Sequence, residues 1–314
     1  MEAALLVGGR LLQFSGALVL FGSPLFFLYG TRGVPALVGN PARAPWQRRL
    51  VLIGALGALL GAVIWVMAET AAMSDEARDA IRPTALWTIL SDTHFGRACL
   101  ARMALLALSI VASLTLRPTR ALWIVLTFLG AAATASFAWT GHGAVDRGLG
   151  GVIHLGGDLL HLLAAGVWIG ALVPLALMLR RSFQAPSPTD AREILFGLSQ
   201  FSRIGIFVVA LLVLSGAINS WFLIGPSRWR SLFATAYGVT LLIKLGLFGI
   251  MLALATVNRN RHTPALHAAI DDPRATKTML RALRGTVMSE TILALVVLCA
   301  VSLLGTLAPP ISGV

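Results

Sequence analysis

Three side chains able to bind a metal ion share one helical face. His154, Asp158 and His161 stand at i, i+4 and i+7, a spacing that stacks side chains over successive helical turns. Neutral imidazole is the commonest metal ligand, and a carboxylate one turn away can orient its second ring nitrogen or ligate directly. Ala165 and Trp168 continue the stripe. His142, within Gly141-His142-Gly143, precedes this helix, and His94 sits in Asp92-Thr93-His94-Phe95-Gly96. Met67 and Met73 flank one end of an earlier apolar run, where thioether sulfur would suit Cu(I). The chemistry on offer is metal coordination. Histidine pairs on facing helices, such as His94 or His142 opposite His161, would equally ligate a b-type haem, and a single membrane histidine also serves as a hydrogen-bonded packing residue.

The elements that must hold these groups are membrane helices. Of 314 residues, 57% are hydrophobic and 12% charged, about half the charge of a soluble domain, and the mean hydropathy is +0.83. Apolar runs near the roughly 20 residues a span requires recur along the whole chain. Divided at Pro, Gly and charge clusters, they predict eight spans, at about 4–29, 50–68, 96–116, 121–140, 152–179, 201–224, 237–257 and 286–307. The fold class is therefore an all-α, polytopic transmembrane bundle forming a single integral membrane domain over 1–314. The first run, Met1 to Tyr29, lacks a small-residue cleavage site and reads as a retained span. No loop is long enough for a sizeable soluble domain, and no internal repeat is evident. Pro83 ahead of the apolar stretch Ala85 to Leu90 predicts a short interfacial helix.

The formal charge of +12 is a matter of topology rather than of nucleic-acid binding. The loops at 31–49, 117–120, 180–200 and 258–285 together hold fifteen Lys and Arg, against five in the loops on the other side. The positive-inside rule puts the first set in the cytoplasm and both termini in the periplasm. Cys99 and Cys299 have no CxxC partner, which argues against a disulfide framework or a cysteine metal site. The sequence has no phosphate loop, GxSxG or HExxH, so nothing in it points to an enzyme.

Ionisable groups within the spans need a partner or a wet cavity, since each costs roughly 2.5–3.5 kcal/mol at the bilayer centre. Arg102, Asp158, Lys244 and Asn219 fall about 8–12 Å below the periplasmic boundary at a rise of about 1.5 Å per residue, so they are expected to form one supporting polar cluster. Arg97 and Arg203 lie near span ends and can snorkel. Glu290, one turn into the last span, is expected to pair with cytoplasmic arginines, and His262 and His267 to be solvated. Trp65, Trp87, Trp139, Trp221 and Trp229 are expected in interfacial belts.

Several segments together resemble the copper resistance protein D (CopD) family of bacterial inner-membrane proteins. They are His161-Leu-Leu-Ala-Ala-Gly-Val-Trp168-Ile-Gly170, Phe201-Ser202-Arg203-Ile-Gly205 leading to Ser215-Gly216-Ala-Ile-Asn219-Ser-Trp221, and Tyr237-Gly238 through Lys244 to Asn258-Arg259. Asp92 to Arg97 and the Glu290 span ending in Ala308-Pro309-Pro310 also fit, so the likeness covers a core of about 90–310. It implies a copper-homeostasis role in the inner membrane, usually movement of copper ion, Cu(I) or Cu(II), from periplasm toward cytoplasm, often beside a periplasmic copper carrier of the CopC type. On this reading the metal residues are His94, His142, His154, Asp158, His161 and Met73, with Arg102, Asn219 and Lys244 in support. Haem-based electron transfer, or a sensor or scaffold that moves no metal, are the alternatives.

Overall fold

The structure is a computed structural model and describes residues 2–31, 45–74, 76–141, 148–184 and 188–312. Eight long helices carry the fold: α1 (Glu2–Gly30), α2 (Pro45–Ser74), α3 (His94–Thr115), α4 (Arg120–Ala135), α5 (Gly148–Gln184), α6 (Pro188–Leu223), α7 (Ala236–Val257) and α8 (Pro273–Leu304). No strand occurs among the described residues. All eight give segments long and apolar enough to cross a membrane. Several run well past their apolar stretch: α8 starts at Pro273, thirteen residues before the predicted span. Hydropathy marks the hydrocarbon edge, whereas a helix continues until its backbone hydrogen bonding is interrupted.

Helix α1 is central and packs on α2, α4, α5, α6 and α8. Apolar association between helices gains little against lipid tails, so close backbone approach at small residues has to supply the packing. Gly9, Gly16 and Gly61 serve α1 and α2 in this way. Large side chains such as Ile53, Phe128, Phe207 and Ile292 point outward. Trp87, Trp139, Trp221 and Trp229 are exposed near helix ends, as belt residues should be. Trp65 is not: it is buried edge-on against Phe95, beneath the guanidinium of Arg10. The short helix expected after Pro83 runs Pro83–Asp92, with Pro at its first position.

The halves α1–α4 and α5–α8 share a set of matched positions. Thr93 caps α3 by accepting from the Gly96 N–H at 2.8 Å, and Thr235 caps α7 by accepting from the Gly238 N–H at 3.0 Å. Gly96 abuts Ile89 and Leu90 of the preceding short helix, just as Gly238 abuts Ser231 and Leu232. Each pair is separated by 142 residues, as are Arg102 and Lys244, both nine residues after the capping threonine. Gly9 packs on α2 as Gly157 packs on α6, and Gly22 meets Gly170 in a mutual contact. These α1–α5 pairs are separated by 148 residues, a register that also matches Arg10 with Asp158 and Gln13 with His161. What the halves share is almost confined to small contact residues, caps and one cation, because apolar residues elsewhere are interchangeable against lipid.

Candidate metal-accepting site

At the end of the bundle carrying the N-terminus, the halves enclose a cavity of about 170 Å³. Its walls include Arg10 and Phe14 of α1, Phe137 to Gly141 after α4, His154, Asp158 and His161 of α5, Asn219 of α6, Tyr237 and Lys244 of α7, and Gly305 beyond α8. Three of the side chains expected to meet, Asp158, Asn219 and Lys244, therefore do share one chamber. It adjoins a larger cavity of about 410 Å³ among the helices of the second half, to which His161, Asn219, Tyr237 and Lys244 also contribute.

Each α5 side chain is held differently. The His154 ring is 1% exposed and stacks on Phe222, with centroids 4.8 Å apart and planes within 6°. Asp158 Oδ1 accepts from Asn219 Nδ2 at 2.7 Å, and Gly157 supplies the close approach of α6 that this bond needs. His161 Nδ1 lies 3.0 Å from Ser215 Oγ. The Ser215 hydroxyl spends its proton on the Leu211 carbonyl at 2.6 Å, so Nδ1–H must donate to Oγ and the imidazole lone pair lies on Nε2. Fixing one ring nitrogen by an outer partner is how metal-binding histidines are oriented.

The remaining expected residues are distributed elsewhere. His94, the first residue of α3, is exposed, contacts Arg97 at 3.3 Å and does not line the cavity. Met73 is exposed near the end of α2. His142 falls outside the described residues, directly after the wall residue Gly141. Arg102 is separate from Lys244: fully buried in the first half, it donates to Ser136 Oγ at 2.8 Å, Gln13 Oε1 at 3.0 Å, and Ser136 O and Thr140 Oγ1 at 3.1 Å, and lies 3.9 Å over the Phe137 ring. It braces the turn Ser136–Thr140 that forms one cavity wall. Among the described residues no three His, Cys, Asp or Glu side chains converge closely enough to hold a metal ion, and no histidine from a facing helix lines the cavity opposite His161. One helix presents its ligands along a line and cannot surround an ion unaided.

Two wall residues lay outside the expected cluster. Arg10 is the lone cation inside the first span, and Gly305 is bare so that its guanidinium fits. Tyr237 entered the sequence reading only as part of the family-like stretch beginning Tyr237-Gly238. Glu290 departs from expectation: its partner is Asn258 Nδ2 at 2.5 Å, not an arginine. His262 is likewise half-buried and bonded to Asn258 Oδ1 at 3.0 Å, not solvated. Asn258 and His262 belong to a π-helical turn, Asn258–His262, that sequence patterning does not announce.

A bundle of eight membrane-length helices, with imidazole and carboxylate groups facing a chamber among them, defines a polytopic membrane protein. Residues 1–152 match the family described as Copper resistance protein D-like, N-terminal domain, and residues 197–304 match Copper resistance protein D. The chain belongs to the copper resistance protein D family. It is 35% identical to Copper resistance protein D of Pseudomonas syringae pv. tomato, over 98% of both chains. It is 26% identical to Inner membrane protein YebZ of Escherichia coli (strain K12), over 96% of this chain and 97% of that one. Copper transport protein CutJ of Bacillus subtilis (strain 168) is 28% identical over 79% of this chain and 45% of its own. No solved structure matches. The family likeness thus extends through the N-terminal third, which motif reading alone had left as generic spans.

Proposed function

We propose that this protein sits in the bacterial inner membrane and moves copper ion from periplasm toward cytoplasm, accepting it in the chamber beside α5. The carrying observation is that His154, Asp158 and His161 line one cavity together with Asn219 and Lys244. The fifteen-to-five bias in Lys and Arg supports a periplasmic position for that end of the bundle. Imidazole and carboxylate suit Cu(II), and Cu(I) if sulfur joins. The His161 Nε2 lone pair and the Asp158 carboxylate make the first contacts, and helix movement about the α1–α5 seam closes further ligands around the ion. His94 and His142 act earlier, taking copper from a periplasmic carrier of the CopC type. Copper binding to purified protein tests the assignment: His161→Ala should lose the ion bound in this chamber, and unchanged stoichiometry and affinity would remove the site. Copper uptake into sealed vesicles separates a transporter from a scaffold, for which uptake would not exceed that of empty vesicles.

A further inference from the structure

The second half carries a polar cluster on the far side of Trp168 from His161. Trp168 is 3% exposed and borders both the chamber containing His161 and Lys244 and another of about 350 Å³ lined by Asn258, Glu290 and Ser202. It packs edge-on against Phe201 and Phe248, and its indole N–H has no acceptor among the described residues. Along α7, Lys244 and Asn258 are fourteen residues apart, about 21 Å.

The cluster is ordered by its hydrogen bonds. Asn258 Nδ2 donates to Glu290 Oε1 at 2.5 Å, leaving Asn258 Oδ1 as the acceptor for Thr286 Oγ1 at 2.5 Å and for His262 Nδ1 at 3.0 Å. The His262 lone pair therefore lies on Nε2. Glu290 is 1% exposed, and its Oε2 has no donor among the described residues. Arg259, on the same cavity wall, is committed to the Ser202 carbonyl at 2.9 Å. A carboxylate buried at membrane depth without a cationic partner marks a cation path. In the α1–α5 register Trp168 corresponds to Leu20, buried in the apolar core of the first half.

The geometry points to a second station for the same copper ion, in which Glu290 Oε2 and the His262 imidazole, both aligned by Asn258, take the ion after it passes Trp168. The inference rests on the proposed copper function, and the two fail differently. Copper(II) is titrated into purified protein in lipid nanodiscs, and bound metal is counted after equilibrium dialysis. Wild type should hold two ions, and Glu290→Gln and His161→Ala one each. His262→Ala, at a half-buried turn, guards against misfolding of the first variant: it should weaken one of the two ions at least tenfold and remove one imidazole signature from the copper electron spin resonance spectrum. Wild-type stoichiometry and spectra in Glu290→Gln and His262→Ala would overturn the second station, as would loss of pH-dependent uptake in Glu290→Gln with copper binding intact, which would make Glu290 a proton site. No copper bound by wild type would instead overturn the function itself.

Discussion

Gly22 of α1 and Gly170 of α5 each occupy the only space the other leaves. A methyl group added to either would strike the other's Cα, and would also meet the Gly166 carbonyl from Gly22 or the Leu18 carbonyl from Gly170. The contacts are reciprocal, so each glycine sets how closely the two backbones approach. Ser23 adds a hydrogen bond to the Gly170 carbonyl at 2.8 Å.

Because that seam is backbone against backbone, nothing at it can rotate away. Gly22→Ala and Gly170→Ala should each destabilise the protein by about 1–3 kcal/mol or more, lowering its melting temperature in detergent. Gly246→Ala, on open space in α7, should leave the melting temperature unchanged or slightly raised. Equal melting of all three variants would contradict close approach at the seam.

Arg102 and Lys244 hold equivalent registers but opposite roles. Arg102 makes four hydrogen bonds to neutral acceptors, so Arg102→Met should cost about 2 kcal/mol or more by orphaning them. Lys244 faces the chamber shared with Asp158 and His161, where its charge opposes an arriving cation. Lys244→Met should leave melting nearly unchanged and tighten copper binding about tenfold or more; calorimetric titration of the variant reads the difference.

Ser215 holds His161 without facing the ion. Ser215→Ala removes the acceptor for Nδ1–H and should weaken copper affinity roughly 10- to 100-fold while the fold persists. Ser220, whose hydroxyl bonds to the Gly216 carbonyl in its own helix, is the control, and Ser220→Ala should bind copper as wild type does.

The two threonine caps stand at matching positions at the starts of α3 and α7. Thr93→Ala and Thr235→Ala each remove one side-chain bond to a glycine N–H, at an expected cost of about 1 kcal/mol apiece. Because the sites lie in different halves, the double variant should show the sum in a chemical melt.

Axial haem ligation needs two donors on opposite faces of the ring, whereas His154 and His161 share one helix. The absorbance spectrum of purified protein should therefore show no Soret band. A Soret band with sharp reduced bands would replace the copper reading with electron transfer.

Apolar run length by itself determined eight spans and an all-helical fold, since crossing hydrocarbon leaves a chain no other way to satisfy its backbone. The i, i+4, i+7 spacing likewise put His154, Asp158 and His161 on one face before any neighbour was known. Which helix faces that stripe was a tertiary matter. Hydropathy cannot rank lipid-facing against buried positions, so Lys244 joined the chamber while Arg102, at similar depth, was sequestered among Gln13, Ser136 and Thr140. Only packing distinguished Arg10 as a wall residue, drew Glu290 to Asn258 rather than to an arginine, and brought Gly22 against Gly170, because reciprocal glycine contacts depend on which backbones touch.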